Sequence, residues 1–261
     1  MNYLEEYYKN YNEDGRLLSR HGQVEYLTTM HYIRESLEGL AAPEILEIGA
    51  GTGRYSVTLA KEGYHVTSVE LIEHNLDILR SKLDGTETLR AMQGNALDLS
   101  FLEDNTYDVT LLLGPMYHLY SKEDQLRALS EAVRVTKPGG KLLVAYCMNE
   151  PTVIMYVFGL NKLHEVMDLN MLTEDWHCIS EPKDLFQLMR TEDITALNQE
   201  VPVRRIKLAA TDGATNYMRD LIDAMDDETF GKWMEYHFAV CERQDLIGAS
   251  HHTLDILEKN T

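Results

Sequence analysis

Short apolar runs alternate with segments of helical periodicity between residues 45 and 148, and this alternation predicts strands that are separated by helices. Residues 107–113, YDVTLLL, are apolar almost without interruption, as is typical of a central parallel strand that is buried on both faces. Other strands are predicted at residues 45–48, 65–69, 87–92 and 141–148, and helices at residues 55–61, 72–83 and 121–135.

The two ends of the chain follow a looser pattern. Residues 1–14 are rich in tyrosine and carboxylates and predict a short helix that ends near Gly15. Residues 23–38 have the apolar spacing of an amphipathic helix. Towards the carboxyl terminus the pattern predicts a helix at 182–189, a strand at 201–208, a helix at 216–243 and a last strand at 252–257.

A glycine-rich turn lies between the first predicted strand and its helix, in the sequence ILEIGAGTGRYS. Gly49, Gly51 and Gly53 occupy alternate positions after Glu47. Glycines let a ligand approach where a Cβ atom would collide, and the helix start offers unpaired N–H groups. A tight turn without a ligand is the alternative, but three glycines at this spacing favour a nucleotide-like ligand. The spacing differs from the G-x-G-x-x-G dinucleotide fingerprint.

This E-x-G-x-G-x-G pattern resembles motif I of class I S-adenosylmethionine-dependent methyltransferases. The sequence RVTKPGG, in which residues 137–140 predict a turn, precedes an apolar strand and is similar to the same family. The resemblance covers about residues 44–148. It implies an α/β fold with a Rossmann-like, doubly wound, mostly parallel seven-stranded sheet and helices on both faces. Residues 1–42 would form an N-terminal helical cap, and residues 43–261 the methyltransferase domain.

Segments outside the shared core are expected to shape the site. Because the family packs N-terminal helices over the cofactor edge, tyrosines among residues 3–11, with Arg16, Arg20 or His21, would close over the cofactor or the substrate. Alternatively, the tyrosines pack the helix on the domain and the charges are solvated. Helical insertions at residues 151–180 and 211–250 would line the substrate pocket, supply core packing, or do both.

The resemblance places the cofactor at the carboxyl ends of the strands. Glu70 closes the second strand about 20 residues after the glycines, where such folds bind ribose hydroxyls with a carboxylate. Asn95 occupies a position that is often acidic in the family, and its carbonyl oxygen can still accept a hydrogen bond from the adenine amino group. The predicted cofactor-binding residues are Glu47, Gly49, Ala50, Gly51, Gly53, Glu70, Leu71, Asn95, Ala96 and Leu113.

His118 and Tyr117 are the candidate catalytic residues, because they follow the fourth strand, where the family places the transferring methyl group. Methyl transfer needs a general base only when the nucleophile arrives protonated, and an imidazole suits that role near neutral pH. A hydrogen bond from His118 to the backbone that orders the loop is an equal alternative, and Tyr117 is a stronger candidate for a pocket wall. Leu113 and Met148 occupy positions where metal-assisted catechol methylation needs carboxylates, so no metal is predicted.

Composition limits the partners. The 261 residues carry a formal net charge of −19 without a long basic run, which argues against nucleic acid as a partner. The three cysteines lack the spacing of a structural zinc site. The polar N-terminus is unlike a signal peptide, and the longest apolar run is too short to span a bilayer. We therefore expect a cytoplasmic protein without a membrane partner.

These observations together predict methyl transfer from S-adenosylmethionine to a small molecule. A protein or tRNA methyltransferase is one alternative, which a basic stripe at the carboxyl edge of the sheet would favour. A protein that binds the cofactor without transferring a methyl group is the other, and a tight pocket without room for an acceptor would favour it. The acceptor, its reacting atom and the oligomeric state, a homodimer included, stay open.

Overall fold

An eight-stranded sheet forms the centre of the computed structural model, which describes residues 3–261. Met1 and Asn2, which belong to the predicted N-terminal helix, lie outside the described residues. The strands are β1 (Glu44–Ile48), β2 (His65–Glu70), β3 (Leu89–Gln93), β4 (Tyr107–Leu112), β5 (Thr136–Met148), β6 (Leu188–Met189), β7 (Val203–Ala210) and β8 (His252–Lys259).

Helices connect and cover these strands. The α-helices are α1 (Tyr3–Asn10), α2 (Arg20–Leu37), α3 (Arg54–Lys61), α4 (Glu73–Ser81), α5 (Lys122–Val135), α6 (Asn149–Thr152), α7 (Leu163–Asp168), α8 (Thr191–Asn198), α9 (Arg219–Asp223), α10 (Asp227–Val240) and α11 (Gln244–Ile247). A π-helical segment spans Val153–Gly159, and short 3₁₀ turns span Glu13–Gly15, Pro115–His118, Pro182–Asp184 and Thr215–Met218.

The strand order is β3-β2-β1-β4-β5-β8-β7, and β6 pairs with the end of β5. Strands β1 to β6 pair in parallel, whereas β8 is antiparallel to both β5 and β7. The predicted mostly parallel α/β sheet is therefore confirmed, with β6 as an additional short strand. Reversal of the strand order next to β1 leaves a crevice at the carboxyl ends of β1 and β4, where open α/β sheets bind ligands.

Both faces of the sheet are covered, as a doubly wound fold requires. Helices α2 and α3 pack on one face, where Ile33 and Leu59 are fully buried against Ile45 and Val109. Helices α5 and α8 pack on the other face, around buried residues that include Leu129 and Ile194. Burial on two sides explains why the central strands are nearly continuous apolar runs rather than alternating ones.

The predicted helix at residues 182–189 is wrong. Pro182–Asp184 forms only a 3₁₀ turn, and Leu188–Met189 is strand β6. Leu185 has a φ of +69°, in a region that a right-handed helix cannot use, so the turn ends there. The crossover helix is instead α8, which begins after Arg190, whose backbone N–H donates to Asp193 at 2.7 Å.

The predicted turn at residues 137–140 lies inside β5. Tyr107 pairs with Thr136 and Val109 pairs with Lys141, so the four residues from 137 to 140 are accommodated as a bulge opposite one residue of β4. Gly139 has a φ of +76°, which explains the glycine at that position. The turn chemistry was recognised, but its place within a strand was not.

Helical segments follow β5, as expected from the sequence. Among residues 149–168 these are α6, the π-helical segment and α7, and residues 215–247 form a second helical group. Within residues 3–261, no helix combines the length and the apolar character that crossing a membrane requires.

Candidate active site

The glycine turn after β1 uses its three glycines in different ways. A Cβ atom at Gly49 would lie 2.4 Å from Pro115 Cδ, and one at Gly53 would lie 2.6 Å from Leu79 Cγ. At Gly51, where φ is +54°, a Cβ atom would meet nothing nearer than Glu13 Cγ at 3.8 Å. Gly49 and Gly53 thus permit close packing, while Gly51 leaves open space above the turn.

That open space belongs to a cavity of about 1190 Å³ at the carboxyl ends of the strands. Single small-molecule pockets usually measure roughly 300–1,000 Å³, so this cavity can hold two small ligands side by side. Eleven of the twelve predicted site residues line it: Glu47, Gly49, Ala50, Gly51, Glu70, Leu71, Asn95, Ala96, Leu113, Tyr117 and His118. Gly53 does not line the cavity, because it caps α3 and packs on Leu79.

Two buried carboxyl groups face the turn. Glu70 accepts hydrogen bonds from the Gly51 N–H at 2.7 Å and the Ile72 N–H at 2.8 Å. Glu47 accepts from the Ser56 N–H at 2.9 Å and from the Ser56 hydroxyl. Burial raises the pKa of Glu70, and it raises the pKa of Glu47 to about 8. Within the described part of the chain, neither carboxyl group forms an ion pair, so both lack a cation.

The adenine end of the predicted site is more open. The Leu71 side chain is 43% exposed and available as an apolar surface. The side-chain oxygen of Asn95 accepts from the Leu97 N–H at 3.0 Å, which fixes the side chain and leaves one acceptor lone pair. Asp98, in the same loop, accepts from the Ser100 N–H at 3.1 Å, as a turn residue does.

Both ring nitrogens of His118 are engaged. Nδ1 lies 2.7 Å from the Leu185 carbonyl oxygen, which can only accept, so Nδ1 carries the proton. Nε2 lies 3.0 Å from the Tyr8 hydroxyl and accepts from it in the neutral ring. Burial lowers the pKa of His118 more than the Leu185 bond raises it. His118 thus makes the backbone contact that was the alternative to its role as a base. Its Nε2 can accept a proton only after the Tyr8 hydroxyl moves away.

The N-terminal residues lie over the glycine turn. Glu13 approaches Gly51, and Asp14 accepts a hydrogen bond from the Thr52 hydroxyl at 3.1 Å and pairs with Lys82. Tyr7 and Tyr8 line the cavity, and burial raises the pKa of both hydroxyl groups. These contacts place the segment over the glycine turn. Its closing over a cofactor stays a prediction.

A charged cluster in the same cavity was missed by the sequence reasoning. His252 Nδ1 lies 2.8 Å from Asp212 Oδ2 and 3.4 Å from Glu25 Oε2. Arg16 donates to both oxygens of Glu25, at 2.7 and 3.0 Å. Asp212 is fully buried and Glu25 is 8% exposed. The only local signal was the pair His251-His252 at the start of the last strand, which spacing alone does not connect with residues 25 and 212.

Apolar side chains occupy the ends of β4 and β5, where metal-assisted catechol methylation would need carboxylate ligands. Leu113 and Met148 follow β4 and end β5, respectively, and both line the cavity. In the charged cluster, Arg16 already neutralises Glu25, and His252 presents a protonated Nδ1 to the carboxylates rather than a lone pair. The absence of a metal stays a prediction.

Comparison with known proteins agrees with this geometry. Residues 46–144 match the family model described as a methyltransferase domain. A demethylmenaquinone methyltransferase from Clavibacter sepedonicus is 31% identical over 116 residues, which are 44% of this chain and 46% of that protein. The matched part therefore spans about half the length of that relative. A ubiquinone biosynthesis O-methyltransferase from Methylocella silvestris is 27% identical over 70% of this chain and 69% of its own length.

Solved structures share the fold at low identity. A SAM-dependent methyltransferase from Methanosarcina mazei has a TM-score of 0.58 and 15% identity, covering 88% of this chain and 97% of that one. The [4+2]-cyclase SpnF has a TM-score of 0.59 and 14% identity, covering 91% of this chain and 82% of its own. Because a protein described as a cyclase shares the fold, the fold alone does not decide the reaction.

Proposed function

We propose that this chain is a class I S-adenosylmethionine-dependent methyltransferase, which transfers the methyl group of S-adenosylmethionine to a small molecule. The observation that carries the proposal is the pair of buried carboxyl groups, Glu47 and Glu70, beside the open space at Gly51. Buried acids without a cationic partner are costly, and a cationic ligand with hydroxyl groups offsets that cost.

Each predicted contact fits the chemical parts of the cofactor. Glu70 has lone pairs left for two ribose hydroxyls, and the backbone near Gly49 and Gly51 is accessible to the amino-acid end. Glu47 supplies negative charge near the turn for an ammonium group. Leu71, after β2, provides an apolar surface for adenine, and Asn95, after β3, provides one acceptor. When bound, the cofactor supplies an electrophilic methyl group, and the protein positions the acceptor and excludes water.

The acceptor is expected to be a small molecule with an apolar part. The cavity is larger than a single ligand needs, which supports an enzyme over a protein that only binds the cofactor. Side chains of the segment after β5 line its acceptor end, among them Met155, Val157 and Met171. The net charge of −19 argues against tRNA as the acceptor. One relative is named a demethylmenaquinone methyltransferase and another a ubiquinone biosynthesis O-methyltransferase, so aromatic hydroxyl compounds are the first acceptors to test.

The first test is cofactor binding by isothermal titration calorimetry. Gly51→Val places a branched side chain in the open space of the cavity, so affinity for S-adenosylhomocysteine should fall at least about tenfold, or about 1.4 kcal/mol. Gly63→Val is the matched control, because Gly63 has a φ of +95° and open space around it but does not line the cavity. Equal affinities of the two variants and the wild type would refute the site.

The second part of the test is transfer of a labelled methyl group. The wild type is incubated with labelled S-adenosylmethionine and, in separate reactions, catechols and hydroquinones, small amines, bulk tRNA and a protein extract. Label in a small-molecule fraction supports the proposal, while label confined to tRNA or protein supports the alternative substrate class. Binding without transfer to any class would support a protein that holds the cofactor without using it.

A further inference from the structure

His252, which lines the cavity, holds one ring nitrogen against a carboxylate and leaves the other uncommitted. His252 is the first residue of β8, and its Nδ1 contacts Asp212, as described above. Within residues 3–261, Nε2 of His252 has no hydrogen-bond partner, and the ring lines the cavity. His118 differs, because Tyr8 and Leu185 occupy both of its nitrogens.

We propose that Asp212 and His252 form the proton-accepting pair for the methyl acceptor, with Nε2 of His252 as the atom that takes the proton. This assignment rests on the proposed methyl-transfer function. In the step, a lone pair of the acceptor atom forms the bond to the methyl carbon. The sulfur–methyl bond breaks and leaves its electron pair on sulfur. The proton of the acceptor atom moves to Nε2, so charge and atoms balance.

Asp212 fixes the tautomer of His252. Its Oδ1 accepts from the Ser250 hydroxyl at 2.6 Å and from the His252 N–H at 3.2 Å, and its Oδ2 accepts from Asn216 and from His252 Nδ1. Burial opposes ionisation, but His252 and these hydrogen bonds lower the pKa of Asp212 to about 2. An ionised carboxylate can only accept, so the proton of the neutral ring sits on Nδ1 and the lone pair on Nε2.

The ring is also placed where the acceptor is expected. His252 pairs with Cys147 near the carboxyl end of β5, because β8 runs antiparallel to β5 and begins where β5 ends. Its ring centroid lies 6.0 Å from that of Tyr117, in the loop after β4. The pair thus shares the cavity with Glu70 and the glycine turn, and lies next to the loop where the family places the transferring methyl group.

Charged and titratable groups surround the ring on every side that packs against it. Burial lowers the pKa of His252, but Glu25 on α2, Cys147 on β5 and Asp212 outweigh burial and raise it well above the ordinary value. Arg16 moderates this effect by neutralising Glu25, and Tyr117 and His251 are uncharged neighbours at neutral pH. The unprotonated His252 ring is therefore a strong base, and the fraction of the protein that contains it grows as the pH rises.

Nuclear magnetic resonance of histidine-labelled protein tests the pair without any acceptor. The ring nitrogens of His252 should show Nδ1 protonated throughout, Nε2 titrating, and a pKa above the ordinary histidine value. Asp212→Asn should move that pKa downward, because the carboxylate charge is lost while the side-chain shape is kept. A ring that stays protonated on Nε2, or a pKa unaffected in a folded Asp212→Asn protein, would overturn the assignment.

Kinetics with an acceptor from the labelled-methyl screen tests the role in transfer. His252→Gln should bind S-adenosylhomocysteine as the wild type does but lose about 10²–10⁴-fold in transfer rate, the usual contribution of a general base. The rising limb of the wild-type pH–rate profile should disappear in this variant and persist in His118→Gln. His251→Gln, which alters the adjacent histidine, is the control that should keep both the rate and the limb.

The outcomes separate this inference from the function on which it rests. A wild type that neither binds the cofactor nor transfers a methyl group contradicts the proposed function. Normal cofactor binding with an unchanged rate and pH profile in His252→Gln contradicts only the assignment of the base. If His252→Gln does not fold, the pKa of His252 in the wild type and in Asp212→Asn still decides the question.

Discussion

Glu47 is a carboxyl group in an almost fully enclosed position, where it is 1% exposed. Its hydrogen bonds come from Ser56 at the start of α3, and no cation among residues 3–261 compensates its charge. Burial raises the pKa of this carboxyl group to about 8, so at neutral pH the group is mainly protonated in the free protein. The sequence identified Glu47 as part of the motif but gave no indication of this ionisation state.

Glu47→Gln should make stability less dependent on pH. The carboxyl group has a higher pKa in the folded than in the unfolded chain, so the folded wild type loses stability as the pH rises from about 4.5 to about 8. Glutamine keeps the acceptor oxygen for Ser56 without ionising. The difference in melting temperature between variant and wild type should be small near pH 4 and should grow, in favour of the variant, up to about pH 8. A constant difference across that range would contradict the buried, protonated state.

At the scale of the element, the strand–turn–helix unit at β1 and α3 combines packing with ligand binding. Gly53 begins α3 with a φ of +81° and packs on Leu79 of α4, while Gly51 faces the cavity. Glycine is therefore required at Gly53 for packing and at Gly51 for open space in the cavity. A substitution at either glycine is strained by the backbone, but only one of them meets a neighbouring helix.

Gly53→Ala should destabilise the fold and leave cofactor affinity close to that of the wild type. The new methyl group meets Leu79 Cγ at 2.6 Å in addition to the backbone strain, so a loss of about 1–3 kcal/mol is expected by urea unfolding. Gly63→Ala, at a φ of +95° and with nothing within 4 Å, isolates the strain and should cost less. Equal losses would mean that the contact with Leu79 relaxes without cost.

The sequence predicted best those elements that are specified by neighbouring residues. The strands from β1 to β5 and helix α5, which Ser121 caps by accepting from the Asp124 N–H at 3.1 Å, follow from local periodicity and capping. The helix predicted at residues 182–189 failed because a left-handed residue within it interrupts an otherwise helical composition. The pair of Asp212 and His252 could not be predicted, since strand pairing brings together residues 40 positions apart.

At the scale of the whole molecule, acidic groups dominate both the surface and the cavity. The net charge is −19, and burial raises the pKa of Glu13, Glu47 and Glu70 around the glycine turn. A cationic ligand entering this environment favours the ionised carboxylates and lowers their pKa values. Ligand binding and proton release are therefore linked.

S-adenosylmethionine should release protons from the protein at pH 7, and S-adenosylhomocysteine, which lacks the sulfonium charge, should release fewer. Calorimetry in two buffers of different ionisation enthalpy measures the number of protons released. In Glu47→Gln the release should be reduced, because the group with the pKa of about 8 is gone. Identical proton release for the two ligands would show that the sulfonium does not reach the carboxyl groups.

The direction of β8 decides where a label can be attached away from the cavity. Its first residue, His252, lies at the carboxyl ends of the parallel strands, where the cavity is. Glu258 pairs with Lys141 towards the other end of the strands. A fluorophore attached at Lys259 would therefore lie at the opposite end of β8 from the cavity. A fluorophore attached at Tyr3 would instead lie on the N-terminal segment, next to Leu4, which lines the cavity.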